Sequence, residues 1–178
     1  DSQLLLRSAN NVLQLQWVKN LVNWESVERL PAGASAIPGW IDTARDWFGL
    51  RLDHAARIER ASADNAFLRI TKPAWCYSVP VRVRTGAGYL LAGRCKDPQG
   101  KGRLGWQSLD KEESVVFEEN VLGQEGSDTW TCPAGYMRSQ PDWDTLRVQL
   151  DVLPHAGTVA FDNVLLVEIR EPDPARSD

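Results

Sequence analysis

The sequence predicts an all-β protein folded as a two-sheet antiparallel sandwich, and three observations carry the prediction. About ten short apolar or alternating segments recur at roughly 8–12-residue spacing, the pattern of a sandwich or barrel. Turn formers punctuate them, with 13 Gly and 10 Pro in 178 residues. The third observation is the stretch from Leu146 to Ile169, where strand character is plainest. Leu146, Val148, Leu150 and Val152 alternate with Arg147, Gln149 and Asp151, so one face can be buried while the other stays wet. After a turn at Pro154, His155 and Gly157 the chain is apolar again except for Asp162 and Asn163, which reads as a closing hairpin with one polar pair to be explained.

Taken in order, residues 1–19 form a leading segment or stalk. Leu5, Ala9, Leu13 and Trp17 recur at helical spacing while Val12 to Val18 alternates at a period of two, so a short helical or irregular piece followed by a strand near Val12 is expected. Residues 20–40 read as a long loop punctuated by Pro31, Gly33, Pro38 and Gly39. A short turn of helix fits Asp42 to Leu50, and a short strand fits Gly49 to Leu52. Arg57–Arg60 and Ala66–Thr71 flank the polar turn Ser62–Asn65 and predict a hairpin. Ser78–Arg84 alternates, and Thr85–Gly88 turns the chain into Tyr89–Cys95. Pro80 restricts the place of the first of these strands, because proline has no ladder donor. Further strands are expected at Arg103–Leu109, from Ser114 to Glu118 and from Thr129, before Pro141 introduces the final pair. Residues 20–169 therefore make one module, and residues 170–178 a linker or tail.

Composition excludes several functions. Twenty Lys and Arg are scattered among 24 Asp and Glu, for a net charge of −4, so nucleic acid has no electrostatic footprint to bind. No run of about 18 apolar residues exists, so membrane association would come only through a parent chain. Three cysteines, Cys76, Cys95 and Cys132, leave open one disulfide with a free thiol or three buried thiols. No nucleophile–base pair or His-rich metal spacing is evident, His54 and His155 read as surface residues, and the acid pairs Glu112–Glu113 and Glu118–Glu119 read as solvated; an enzyme is not expected.

Eight tryptophans are the one departure in composition. Trp40, Trp47, Trp75 and Trp143 sit in or beside turn-like sequence, where aromatics bind ligands more often than in a core. Trp106 lies on a strand among polar residues.

The order of these pieces resembles the jelly-roll carbohydrate-binding modules of the galactose-binding-like group. Asn20-Leu21-Val22 with Val27-Glu28 matches their opening, Pro38-Gly39-Trp40 their Gly-Trp, and Thr85 to Tyr89 their mid-chain turn. Trp130, Pro141 and Gly157 to Leu166 match the remainder, and the resemblance covers about residues 20–169. Trp24-Glu25 stands where the family carries Asn-Gly, and Asn163 where it carries a second Asp.

The resemblance implies a noncatalytic module of a larger extracytoplasmic protein that binds a polysaccharide or oligosaccharide. An interaction or spacer domain of an envelope protein is the alternative. Sugar binding needs a flat aromatic to stack on a pyranose and planar polar groups for its hydroxyls. By resemblance Trp75 stands about where related modules carry a stacking Trp. Trp106 is the second candidate, with Arg147 and Gln149 supplying hydrogen bonds from the polar face of their strand. Glu28 and Asp162 are the candidate ligands of a structural calcium ion, because an Asp among Val159–Phe161 and Val164–Leu166 is costly to desolvate unless a cation or hydrogen bonds meet it. Backbone N–H groups of the opening segment would serve Asp162 as well.

Overall fold

The computed structural model describes residues 2–8, 11–35, 37–40, 55–63, 65–71, 74–99, 102–121, 126–153 and 157–169. It opens with a hairpin of β1 (Ser2–Ser8) and β2 (Asn11–Val18), which pair only with each other among the described residues. The period of two wins over the helical spacing here, and β1 stands where a helical or irregular piece is expected, ahead of the expected strand near Val12. A helix, α1 (Glu25–Arg29), instead forms inside the segment expected to be a loop. Its single turn is held by burial of Val27 at 0% exposure.

The strands that follow are β3 (Ala56–Ser62), β4 (Asn65–Ile70), β5 (Ala74–Tyr77), β6 (Val81–Arg82), β7 (Gly88–Asp97) and β8 (Gly102–Leu109). They continue with β9 (Val115–Asn120), β10 (Ser127–Thr131), β11 (Ala134–Arg138), β12 (Thr145–Val152) and β13 (Val159–Ile169). The larger sheet runs β10-β7-β13-β4-β3 with β11 also on β7, and the smaller runs β5-β12-β8-β9 with β6 also on β12. All pairings are antiparallel. This is the two-sheet sandwich that the sequence predicts.

Two details of connectivity differ from the sequence reading. β12 and β13 are not a hairpin, because β12 is an inner strand of the smaller sheet and β13 of the larger. Both strands carry enough apolar residues to be inner, so each is a central strand of its own sheet. The expected strand Ser78–Arg84 is broken at Pro80, which leaves only Val81–Arg82 in the ladder. The real strand lies earlier, at β5, and contains Trp75. The hairpin β3–β4 and the turn before β7 are as expected; Gly86 takes φ +76° there, a conformation that glycine adopts without strain. The stretch Asp42–Leu50, the strand at Gly49–Leu52, Trp47, both histidines and the tail lie outside the described residues.

The core fills the space between the sheets. Leu146, Val148, Leu150 and Val152 of β12 are all 0% exposed, as the alternation demands. Across from them lie Phe161, Val164 and Leu166 of β13 and Leu91 of β7. Each such side chain contributes about 1.5–3 kcal/mol by leaving water. β4 pairs with β13 only along Val159–Phe161. Beyond that point the opening segment borders the strand: Leu21 N–H donates to Leu166 O at 2.8 Å, and the Asn20 amide donates to Val164 O at 2.9 Å and accepts from Leu166 N–H at 3.0 Å.

Candidate functional site

The alternation that buries one face of β12 sends Arg147, Gln149 and Asp151 to the outer face of the smaller sheet. The registers then decide their neighbours. Gln149 pairs with Tyr77 of β5 and Gly105 of β8, while Asp151 pairs with Trp75 and Arg103. Arg147 pairs with Gln107, which pairs in turn with Glu118 of β9. Side chains at paired positions share a face, so two aromatics, two arginines and several planar polar groups meet on one surface.

Hydrogen bonds fix this surface. Arg103 binds Asp151 through both arms, Nε to Oδ1 at 3.0 Å and Nη2 to Oδ2 at 2.6 Å. Gln149 Nε2 donates to Asp151 Oδ2 at 2.7 Å. Arg147 donates from Nε and Nη2 to Gln107 Oε1, at 3.0 and 2.7 Å, and Gln107 Nε2 donates to Glu118 Oε2 at 2.9 Å. The Arg147 guanidinium also lies over the Tyr77 ring, 4.0 Å from its centroid. Trp75 and Tyr77 are half-buried neighbours with centroids 6.4 Å apart and planes at 45°.

Burial divides these residues more sharply than alternation predicts. Gln149 and Asp151, expected to face water, are 3% and 0% exposed, because flanking side chains on β5 and β8 close over them. Burial pushes the Asp151 carboxyl above the usual carboxylate range, and the Arg103 guanidinium offsets only part of that. Burial likewise raises Tyr77, against the lowering effect of Arg147 and Gln107. Gln149 Oε1 is buried with no hydrogen-bond partner among the described residues. An acceptor left in that state costs about 1–3 kcal/mol, and its burial closes Gln149 to a ligand, contrary to the expectation that it offers hydrogen bonds to a sugar.

Trp106 requires a correction. It sits opposite Val148 on β8, so its ring points into the core at 0% exposure, and its Nε1 donates to Glu119 Oε2 at 3.2 Å. Gly135 on the facing sheet lies beside the ring: an added Cβ would meet Trp106 Cζ2 at an ordinary 3.7 Å but would clash with Val121 Cγ1 at 2.3 Å. Trp75 and Trp106 thus occupy opposite faces of one sheet, and no sugar ring reaches the second. Its polar neighbours in sequence misled, because residues adjacent in a strand point the other way. Trp40 and Trp143, in turn-like sequence, are also buried, at 5% and 7% exposure. The residues that sequence reasoning missed on the outer face are Tyr77, Arg103 and Gln107. Their signal was present as the period of two in Trp75-Cys76-Tyr77 and in Arg103-Leu-Gly-Trp-Gln107.

Glu28 and Asp162 do approach each other, since the Glu28 charge is among the influences that raise the Asp162 carboxyl, behind the larger effect of burial. Glu28 Oε2 accepts from Ala66 N–H at 2.9 Å. Arg94, directly across the ladder, donates to Asp162 Oδ2 at 3.3 Å. Asp162 Oδ1 is buried without a partner, and so is Trp24 Nε1, although the indole lies near enough to favour the charged carboxylate. An orphaned carboxylate oxygen beside a second carboxylate suits a hard cation that takes oxygen ligands. Arg94 already supplies one positive charge there. Among the described residues no group of three metal-capable side chains forms.

With this geometry in place, the architecture is that of the jelly-roll carbohydrate-binding modules. No protein-family model matches the sequence, and neither does any curated protein. Among solved structures, the CBM22-1 xylan-binding domain from Paenibacillus barcinonensis superposes with a TM-score of 0.54 at 14% identity, covering 80% of this chain and 95% of that one. A cyclase from Fischerella sp. TAU superposes with a TM-score of 0.62 at 11% identity, covering 88% of this chain and 100% of that one. The enzymatically active domain of tailspike protein 4 from bacteriophage CBA120 gives 0.61 at 15% identity, over 84% of this chain and 21% of that one. This chain therefore spans about a fifth of the tailspike domain's length. At these identities the likeness defines the fold, and the fold hosts both binding modules and parts of enzymes.

Proposed function

We propose that this chain is a noncatalytic module that binds a polysaccharide or oligosaccharide on the outer face of its smaller sheet, on behalf of a larger extracytoplasmic protein. The observation that carries the reading is the placement of Trp75 and Tyr77 on β5 beside the polar row of β12. Aromatic planes supply stacking for the apolar face of a pyranose, and the half-buried Arg147 supplies planar donors for its hydroxyls, while the buried Gln149 holds Asp151 beneath them. Several carbohydrate-binding modules among the structural neighbours support the same reading. The described residues contain no helix long and apolar enough to cross a membrane.

The noncatalytic part of the proposal draws on how the face spends its carboxylates. Asp151 is locked to Arg103 and Gln149, and Glu118 is exposed on β9 and bonded to Gln107, so neither is held ready for proton transfer or attack. Glu28 and Asp162 are proposed to hold a structural calcium ion, on the strength of the orphaned Asp162 Oδ1. Such an ion would add charge neutralisation to the hydrogen bonds by which Asn20 already ties the opening segment to β13. Affinity electrophoresis of the chain through gels containing xylan, β-glucan, mannan and pectin tests the ligand class. Retardation by at least one polymer is expected; free migration through all of them would favour the interaction or spacer domain.

A further inference from the structure

We propose that Arg147 makes this face selective for polysaccharides that carry carboxylate groups, the uronic acids, over their neutral counterparts. The inference rests on the sugar-binding reading above and names the ligand class for it. Charge on the face is not evenly spent. Arg103 is consumed by two hydrogen bonds to the buried Asp151. Arg147, by contrast, has no carboxylate partner among the described residues: its Nε and Nη2 both converge on a single neutral acceptor, Gln107 Oε1.

That arrangement leaves a defined edge open. One edge of the guanidinium, Nε with Nη2, is spent on Gln107. On the other, Nη1 has no acceptor among the described residues and the second Nη2 proton points alongside it, so two parallel N–H donors remain in the fork that matches a carboxylate. The plane is held from two sides. The Tyr77 ring lies 4.0 Å from the guanidinium carbon, and Gln107 is itself oriented by its bond to Glu118. A half-buried, immobilised fork surrenders little further entropy on binding, so its selectivity reaches the ligand.

A carboxylate meets both donors at once with an opposite charge, whereas a hydroxyl offers the guanidinium one neutral acceptor. The exposed Glu118, on the far side of Gln107, opposes a dense array of negative charge. Spaced uronic acids on an otherwise neutral chain fit this balance better than a heavily sulfated polymer does.

Titration calorimetry with paired polymers tests the proposal. Glucuronoxylan, polygalacturonate and alginate would each be compared with the same preparation after chemical reduction of its carboxyl groups, and heparin would stand for dense sulfation. At least one native polymer is expected to bind about 10-fold more tightly than its reduced form, a preference worth about 1.4 kcal/mol. Arg147→Gln should shrink that preference to within about twofold, whatever happens to overall affinity, and Arg147→Lys should keep only part of it, since the charge remains without the fork. Unchanged melting curves would show that both variants are folded. Equal binding of native and reduced polymers, a preference that survives Arg147→Gln, or tighter binding to heparin would overturn the proposal while leaving sugar binding intact. Absence of binding to every polymer, charged or neutral, would overturn both.

Discussion

The Arg147 guanidinium carbon lies over the Tyr77 ring, 4.0 Å from its centroid, although the two residues sit on different strands and 70 positions apart in the chain. The contact is worth about 0.5–1 kcal/mol by itself. Its larger consequence is geometric, because it couples the aromatic strand β5 to the polar row of β12. Stacking and hydrogen bonding for the proposed ligand would then come from one surface built on strands, which hold side chains more precisely than loops do.

The opposite face of the same sheet answers to stability. Trp106→Ala should cost about 3–5 kcal/mol and Leu150→Ala about 2–5 kcal/mol, through lost transfer energy and the cavity left behind. Denaturant unfolding measures both. A loss below about 1 kcal/mol for Trp106→Ala would place that ring outside the core and reverse the assignment of faces.

Asp151 makes a pH dependence with a definite sign. Burial raises its carboxyl above the ordinary value of 3.8, so the folded chain holds a proton that the unfolded chain has already released. The stability contributed at this site is complete below the unfolded value and falls as the pH climbs through the raised one. Asp162 is shifted in the same direction, again chiefly by burial. The stability of the wild type relative to Asp151→Asn should therefore drift downward as the pH rises from 3.8 and then level off. An upward drift in denaturant melts would mean that Arg103 outweighs burial.

Thiol chemistry reports the register of β5. Cys76 lies between Trp75 and Tyr77 and must face the core if they face outward; burial pushes its thiol up to about 12, with the Asp151 charge adding to the shift. Cys95 is also buried and raised to about 12, whereas Cys132 is exposed. A thiol reagent at pH 8 should label Cys132 rapidly in the native protein and reach Cys76 and Cys95 only on unfolding. Rapid labelling of Cys76 would mean that β5 is turned over and its aromatics are inside.

The calcium proposal has a direct thermodynamic signature. An ion that binds only the folded state adds about 2.7 kcal/mol at 100 times its dissociation constant. Melting midpoints should fall in EDTA and rise in millimolar calcium, and Asp162→Asn should abolish the difference. Identical midpoints, with no metal by elemental analysis, would leave Asp162 neutralised by Arg94 alone.

How much of this was legible in the sequence follows from the range of each signal. The buried face of β12 was readable because period-two alternation is a local property, and the sandwich followed from many such segments. Partnership was not readable: nothing local distinguishes a hairpin from a crossover, so β12 and β13 looked paired although they lie in different sheets. Arg147 faces outward as its alternation implies, whereas Gln149 is buried and Trp75, in turn-like sequence, lies on β5; registers that no spacing encodes bring the three together. Polar neighbours in sequence point Trp106 outward only if they are also its neighbours in space, and on a strand they face the other way. Alternation alone leaves Asp151 solvated, because its burial involves Arg103, which is 48 residues away.

The central claim is that a sugar lies against Trp75 and Tyr77, and titration calorimetry of a bound polysaccharide against single variants tests it most directly. Trp75→Ala and Tyr77→Ala should each weaken binding by about 1–3 kcal/mol, as loss of an aromatic anchor does. Both variants should melt near the wild-type temperature, and Val116→Ala, on the exposed edge of β9, should bind like the wild type. Full affinity in Trp75→Ala and Tyr77→Ala, with folding intact, would contradict the account and move the ligand to another surface.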